Sequence, residues 1–261
     1  MTAEEKARVV RFLDLSGAYL KDGYVRDLPE ESTPPGFSTL PLAYQVDEDD
    51  DTVPLSNGME ELSAAIHNCR ACGLCATRTN AVVGEGAGNP LVMVIGEGPG
   101  ADEDRSGRPF VGKAGQLLDR MLASIDLSRE KNCYIANMVK CRPPGNRDPE
   151  PGEIAACMPY LERQILLLRP RVILCAGRVA AQNLLKTREG INSLRSSFAE
   201  YVVEASVETD IGGVMEKTAI PVFCTFHPSA ILRDESLKRP AWEDLKLLRA
   251  KLESLPAHRD T

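Results

Sequence analysis

The stretch that most constrains this chain is residues 91–115, LVMVIGEGPGADEDRSGRPFVGKAG. It opens with an apolar run, 91–95, that has the length of a buried strand. Closely spaced glycines end the run, and three consecutive acids at 102–104 follow them. An α/β sheet builds its binding sites where its strands run out into such loops, at their carboxyl edge. The stretch therefore predicts an α/β fold with a site at this loop.

Apolar runs and helical patterns alternate along the rest of the chain. Strands are expected at 91–96, 133–138, 171–176 and 222–225, and helices at about 59–68, 114–125, 151–168, 177–185 and 240–254. Residues 198–224 are expected to form two or three antiparallel or irregular segments that end in the last strand. Strands that alternate with helices in this way are typical of a parallel sheet covered on both faces.

Charge is unevenly distributed along the 261 residues. Residues 1–66 carry 5 lysines and arginines against 14 acids, a net charge of −9, whereas residues 67–261 carry 26 against 24, a net charge of +2. Because the excess of acids lies in residues 1–66, the total charge of −7 does not argue against a nucleic-acid partner for residues 67–261. We interpret 1–58 as an acidic, partly disordered extension and linker with a short amphipathic helix at 4–20, and 256–261 as a tail.

We expect neither a membrane span nor a secretory signal in this sequence. No apolar run reaches the length of a membrane span, and the first residues are charged throughout rather than forming the apolar core of a secretory signal. We therefore expect a cytoplasmic protein, a monomer without a membrane partner. The eight cysteines of such a chain favour metal or cluster ligation over disulfides.

Cysteine spacing predicts where that ligation occurs. Cys69 and Cys72 form a CxxC pair, and Cys141 and Cys157 follow as widely separated single cysteines. Four thiolates can hold a zinc ion or a [4Fe–4S] cluster, and the separated single cysteines fit the cluster at least as well. Cys75 is a fifth thiol, which spacing alone leaves open as a ligand in place of Cys72. The other cysteines lie in apolar strands and are expected to be buried packing residues: Cys133, Cys175 and Cys224.

Three side chains near strand ends are candidates for ligand contact. Asn137 either satisfies backbone groups or presents a donor and an acceptor to a heterocycle. His227, one of three histidines, heads His-Pro-Ser after the last strand, and Phe110 is either core or a stacking platform. The acids at 102–104 are favourable at a helix start. A phosphate loop is disfavoured, because the glycine spacing does not match one and the acids would repel phosphate.

Taken together, these residues resemble the family 4 uracil-DNA glycosylases, the iron–sulfur-containing branch of their superfamily. The matching segments are GEGPGADEDRSGRPFVGKAGQLLDRML (96–122), NMVKCRPPGNRDP (137–149), Cys157 and FHPSAILR (226–233). The resemblance covers roughly 69–250, and motifs, order and spacing agree. It implies a three-layer α/β/α sandwich with a central four-stranded, mainly parallel sheet in a glycosylase domain at 59–255. It further implies a [4Fe–4S] cluster held by Cys69, Cys72, Cys141 and Cys157.

The same resemblance implies an activity, the hydrolytic removal of uracil from single- or double-stranded DNA in base excision repair. The uracil would flip out of the DNA, stack on Phe110 and pair with Asn137. His227 would donate a hydrogen bond to the departing base, and Glu103 would stabilise the sugar and position water. The remaining predicted substrate contacts are Glu97, Gly98 and Arg233, with Arg142 and Arg147 as further candidates for phosphate contact and Leu232 as a possible wedge.

Two other classes of protein remain open. A non-catalytic iron–sulfur protein that binds nucleic acid would release no base, and a zinc-containing nucleotide-binding protein would be colourless. The choice of catalytic carboxylate among Glu97, Glu103 and Asp104 is also open, because all three lie in one loop. Residues 199–220 form a longer segment than the family usually shows between its last two strands.

Overall fold

A computed structural model of the chain describes residues 55–209 and 212–255. The predicted helix at 4–20, and nearly all of the predicted extension, lie outside these residues. No helix in the described part of the chain is long and apolar enough to cross a membrane.

The described residues form one six-stranded sheet. Its strands are β1 Glu85–Gly86, β2 Val92–Gly96, β3 Cys133–Asn137, β4 Val172–Ala176, β5 Phe198–Thr209 and β6 Gly212–Thr225. In space the order is β1-β3-β2-β4-β6-β5. The four central strands are parallel, as predicted, and the two edge strands are antiparallel to their neighbours. The sheet is therefore wider than the four strands expected, because an antiparallel strand is added at each edge.

Helices precede, separate and follow the strands. They are α1 Leu55–Asn68, α2 Ala101–Ser106, α3 Lys113–Ala123, α4 Pro151–Leu168, α5 Arg178–Leu184, α6 Ile191–Leu194, α7 Pro228–Arg233 and α8 Lys238–Ser254. Single turns of 3₁₀-helix lie at Gly73–Ala76, Pro144–Asn146 and Glu235–Leu237. The predicted long helices are confirmed to within a few residues, and α2, α6 and α7 are short additions within loops.

The β5–β6 hairpin accounts for the long segment before the last predicted strand. The two strands pair antiparallel from Phe198 opposite Phe223 to Thr209 opposite Gly212. Only the last part of β6, from Val222, also pairs with β4. The strand predicted at 222–225 therefore begins ten residues earlier, at Gly212, because β5 supplies hydrogen-bonding partners where the short β4 cannot.

The core lies on both faces of the parallel strands, which makes the fold three layers. On one face, side chains of α4 and α5 pack on alternate strand residues such as Ile95 and Ile173. On the other, α3 and α8 pack on the intervening residues, such as Val94 and Leu174. All residues of β2, β3 and β4 are buried, as expected for strands covered on both sides. The predicted α/β/α sandwich is thereby confirmed.

Register brings the strand ends together at one edge. Gly96 at the end of β2 pairs with Asn137 at the end of β3, and Ala176 at the end of β4 pairs with Thr225 at the end of β6. The segments that follow all four parallel strands consequently leave the sheet side by side.

Candidate active site and cysteine cavity

A cavity of about 580 Å³ lies at this carboxyl edge of the sheet. Segments following each of the four parallel strands line it, together with residues of α2 and α7. Most of the predicted site residues other than the cysteines are among the lining residues, which include Glu97, Gly98, Glu103, Phe110, Asn137, Arg147, His227 and Arg233. The further candidates Asp104, Arg142 and Leu232 are not among them. The structure therefore brings into one cavity residues that the sequence places in three separate motifs.

Asn137 presents an unpaired acceptor to this cavity. Its side chain is 1% exposed, and its Oδ1 atom has no hydrogen-bond partner among the described residues. A buried amide oxygen without a donor is costly, and such atoms are uncommon in folded proteins. A ligand that offers an N–H in the plane of the amide would remove that cost.

Phe110 lies beside Asn137 with a strained backbone. Both side chains contact the backbone of Gly96 so closely that a Cβ there would lie 2.4 Å from Asn137 Oδ1 and 2.4 Å from Phe110 Cζ. The φ angle of Phe110 is 51°, a left-handed conformation that costs a non-glycine residue about 1–3 kcal/mol. The ring centroid is 5.7 Å from that of His227. An aromatic face is thus held next to an amide edge, which suits a planar heterocycle.

Glu103 is held by three backbone N–H groups. Its Oε2 atom accepts from Gly100 N at 3.1 Å, and Oε1 accepts from Val111 N and Gly112 N, both at 2.9 Å. A carboxylate has about four lone-pair positions, so one position on Oε2 is left for water or ligand. Glu103 therefore fixes the loop that carries Phe110 while keeping a negative charge at the cavity.

Asp104 faces away from the cavity. It is 5% exposed, and its Oδ1 atom accepts from the backbone N–H groups of Thr79 at 2.8 Å and Asn80 at 3.3 Å. Asn80 in turn donates to the Asp104 carbonyl at 2.9 Å. These contacts anchor α2 to the segment that follows the first cysteines. Asp104 is thereby given a structural role, and of the three loop acids only Glu97 and Glu103 line the cavity.

Glu97 lies against a second carboxylate, Asp148. Burial, and then Asp148, raise the pKa of Glu97 to about 7, although the positive charges of Arg178 and Arg233 act in the opposite direction. Arg178 Nη2 is 2.5 Å from Asp148 Oδ2, so a positive charge lies beside this pair of carboxyl groups. Two carboxyl groups in hydrogen-bond contact share one proton. Near pH 7 Glu97 is therefore partly protonated, and its protonated form donates to Asp148.

His227 is a neutral hydrogen-bond donor. Burial and, after it, the charge of Arg233 lower its pKa to about 4, against a smaller opposing effect of Glu103. Nδ1 accepts from the backbone N–H of Ser229 at 3.1 Å. Because Nδ1 is an acceptor, the single proton of the neutral ring is on Nε2. The site thus contains an imidazole N–H donor whose charge does not change near neutral pH.

The three arginines predicted to contact phosphate differ in the partners that they already have within the protein. Arg233 is exposed, and Nη1 lies 3.4 Å from Ser229 Oγ. Arg147 already donates to both carboxylate oxygens of Glu153, at 2.8 and 2.7 Å, so its charge is largely compensated within the fold. Arg142 bonds Asn146 Oδ1 at 2.8 Å. Arg233 is therefore a better candidate for a phosphate contact than Arg147.

Sequence reasoning missed the partners of these residues. Asp148 and Arg178 line the cavity and influence the pKa of Glu97, but neither is the last residue of a strand. Gly177 could have been found, since it directly follows β4. Its φ is 99°, and a Cβ would lie 2.7 Å from His227 Cβ. A side chain at this position would therefore displace the histidine.

Five cysteines line a second, smaller cavity. Cys69, Cys72, Cys75, Cys141 and Cys157 all contribute to it. Among the residues that the structure describes, no three cysteines, histidines or carboxylates lie close enough together to hold a single metal ion. A [4Fe–4S] cluster binds one thiolate at each of four irons, and so requires sulfurs that are spaced more widely than around one ion.

Donor groups surround these sulfurs and suit an anionic occupant. Arg78 Nη1 donates to Cys141 Sγ at 3.0 Å, and Lys140 N donates to Cys157 Sγ at 3.3 Å. The Lys140 ammonium is 1% exposed, and its two hydrogen-bond acceptors, Asn137 O and Gln164 Oε1, are neutral. The thiol set and its cationic neighbours therefore fit a negatively charged iron–sulfur cluster.

The predicted packing cysteines behave as expected. Cys133, Cys175 and Cys224 are each no more than 1% exposed and lie in strands. They do not line the cysteine cavity, which separates them from the candidate ligands.

Comparison with known proteins places this chain among glycosylases. The family model described as "Uracil DNA glycosylase superfamily" matches residues 83–246. Relatives include type-4 uracil-DNA glycosylases of three organisms. They are those of Sulfurisphaera tokodaii (39% identical, over 74% of this chain and 84% of the relative), Archaeoglobus fulgidus (41%, over 72% and 90%) and Thermotoga maritima (41%, over 72% and 91%). The chain therefore belongs to the uracil-DNA glycosylase superfamily and, within it, to the type-4 uracil-DNA glycosylases.

Proposed function

We propose that the cavity at the carboxyl edge of the sheet receives a uracil flipped out of DNA and that its side chains divide the work of releasing it. The chain is a uracil-DNA glycosylase, an enzyme of DNA repair that leaves an abasic site. The observation that best supports the assignment of this cavity is the unpaired, buried Oδ1 atom of Asn137.

Base recognition follows from the chemistry of that amide. The N3–H group of uracil donates to Asn137 Oδ1, and the uracil O4 atom accepts from the Asn137 side-chain N–H. Cytosine presents the opposite pattern, an acceptor at N3 and a donor at C4, and would leave the buried oxygen unpaired. Phe110 stacks on the ring, and its fixed position next to Asn137 selects a planar base. The backbone of Gly98 lines the same end of the cavity and contacts a carbonyl of the base.

Departure of uracil places negative charge on O2. The neutral His227, with its proton on Nε2, donates a hydrogen bond to that oxygen and stabilises the developing anion. Because the histidine is already positioned by Ser229, little reorganisation is needed at the moment of bond cleavage.

The sugar develops positive charge as the bond breaks. Glu103 is the carboxylate proposed to stabilise it and to orient the attacking water, through the lone-pair position that its backbone contacts leave free. Glu97, whose protonated form bonds to Asp148, contacts the base or supports the loop instead. Arg233 is proposed to contact a DNA phosphate.

A [4Fe–4S] cluster is proposed at the cysteine cavity, with Cys69, Cys72, Cys141 and Cys157 as its ligands. Bound there, the cluster would cross-link the segments that carry the four cysteines and so contribute folding energy. Arg78 and Lys140 would compensate its negative charge.

The test is cleavage of a labelled uracil-containing oligonucleotide, with abasic sites revealed by alkali. We expect release of uracil and not of cytosine. Asn137→Asp should slow uracil release by about 10²-fold, equivalent to roughly 2.7 kcal/mol, and narrow the preference for uracil over cytosine. Asn183→Asp is the matched control, because that amide lies outside the cavity on α5.

Two outcomes would contradict the proposal. DNA binding without any base release would favour a non-catalytic iron–sulfur protein. An unchanged preference for uracil in Asn137→Asp would show that another group reads the base. A cytoplasmic location and a monomeric state remain predictions, and light scattering on the purified protein checks the second.

A further inference from the structure

Arg129 is a buried arginine behind Phe110 that the proposed mechanism does not use. It is 7% exposed and lies in the turn before β3. Its Nη1 atom donates to Pro109 O and its Nη2 atom to Phe110 O, both at 3.0 Å. Asp119 on α3 accepts from Nε at 3.1 Å and from Nη2 at 2.8 Å. The guanidinium therefore joins the loop that carries Phe110 to α3.

The carbonyl of Phe110 is confined from two sides. Arg129 holds the oxygen on one side, and Gly115 approaches it on the other, where a Cβ would lie 1.9 Å from that oxygen. Between them the backbone of Phe110 keeps its φ of 51°. A non-glycine residue stays in this conformation only when its surroundings determine it. Without the two hydrogen bonds, the backbone can return to an ordinary conformation and carry the ring away from Gly96.

We propose that Arg129 is the positioning residue for Phe110. It acts through the Pro109 and Phe110 carbonyls and sets the aromatic face at the distance from Asn137 that a flipped base requires. Asp119 acts one step further back, by orienting the guanidinium. The inference rests on the stacking role proposed for Phe110, and it makes no use of the cysteine cavity.

A double-mutant cycle on the single-turnover rate of uracil release tests this inference. Arg129→Met should slow release by about 10-fold to 100-fold, in keeping with a displacement of about 1 Å at a reacting group. In a Phe110→Leu background the same change should alter the rate by less than about threefold, because the ring to be positioned is no longer there. Affinity for an abasic-site duplex should be unchanged in Arg129→Met, since that product has no base to stack.

Controls and a second variant keep the test decisive. Arg108→Met removes a nearby guanidinium that bonds Glu85 at 2.7 Å rather than these carbonyls, and it should leave the rate within about twofold. If Arg129→Met does not fold, Asp119→Asn replaces it, because that side chain is 48% exposed. Asp119→Asn should slow uracil release several-fold, and this effect should also disappear in the Phe110→Leu background.

The outcomes separate the two proposals. Equal effects of Arg129→Met in both backgrounds, or of Asp119→Asn where it is used, would overturn the positioning role and leave the stacking role intact. A normal rate for Phe110→Leu alone would overturn the stacking role first, and the positioning role with it.

Discussion

Replacing Gly96 by alanine should displace both side chains that are proposed to hold the base. The new Cβ would lie 2.4 Å from Asn137 Oδ1, and 2.4 and 2.6 Å from two ring atoms of Phe110. Ordinary contacts of this kind begin at 3.4 Å, so the two side chains must separate from the backbone by about 1 Å. The residues on both sides of the proposed uracil site would move at once.

The expected magnitude follows from that displacement. A misplacement of about 1 Å costs on the order of 10²-fold in rate, equivalent to roughly 2.7 kcal/mol of transition-state stabilisation. The free energy of unfolding should fall as well, by about 1–3 kcal/mol, because the core at this point becomes overpacked. Single-turnover cleavage of a labelled uracil oligonucleotide measures the first quantity, and thermal or chemical denaturation measures the second.

Gly86→Ala is the matched control for lost stability. At Gly86 a Cβ would lie 2.1 Å from Cys133 O, and φ is 146°, so alanine should destabilise the sheet edge. Gly86 does not line the cavity. Its folded fraction should therefore release uracil at the normal rate. If folded Gly96→Ala releases uracil at a rate within about threefold of that of the unchanged protein, the close arrangement of Asn137 and Phe110 is not needed for activity. That result would refute the prediction.

Three further predictions concern protonation and the cysteines. The pKa of Glu97 is raised from 4.5 to about 7, so between these two pH values the folded state holds a proton that the unfolded state has lost. The contribution of Glu97 to the free energy of unfolding should therefore decline as the pH rises from 4.5 through 7. Glu97→Gln should remove that decline in melting temperature, and an unchanged slope would contradict the shared proton with Asp148. Because the pKa of His227 is lowered to about 4, protonation of this ring should reduce the single-turnover rate only near pH 4. A fall in rate near pH 6.5 that His227→Gln abolishes would refute the neutral, buried ring. Cys157→Ser should abolish the visible absorbance of the purified protein whereas Cys75→Ser should retain it; loss in both would make Cys75 a ligand.

Much of the fold could be predicted because its parallel strands are buried on both faces. Runs such as that ending at Gly96 carry no polar residue to obscure them, and long helices separate them. The edge strands were harder. β1 is two residues long and pairs on one side only, and β5 alternates exposed and buried residues such as Val202 and Val203. Their existence depends on neighbours in the sheet rather than on their own composition.

The candidate site divides in the same way. Asn137 and His227 were identifiable because one ends an apolar strand and the other lies just beyond the end of one. The hydrogen-bond partners and protonation states of the site residues could not be predicted, because they depend on contacts between residues that are distant in sequence. Asp148 and Arg129 belong to loops where charged residues are ordinary, and only the folded chain places one beside Glu97 and the other behind Phe110. Likewise the three acids of the loop look equivalent until Asp104 is seen to bond away from the cavity.

The short segment 137–141 carries a consequence for how this chain can vary. It begins with the amide proposed to read the base and ends with a proposed cluster ligand, and Lys140 within it bonds back to the Asn137 carbonyl at 2.9 Å. An insertion or deletion there would shift one of the two sites relative to the other, so its length should be invariant over evolutionary time. In the β5–β6 hairpin, positions 212–221 of β6 pair with β5, and among the described residues the pairing of β6 with β4 begins only at Val222. Changes in chain length can accumulate in that part of the hairpin without disturbing either cavity.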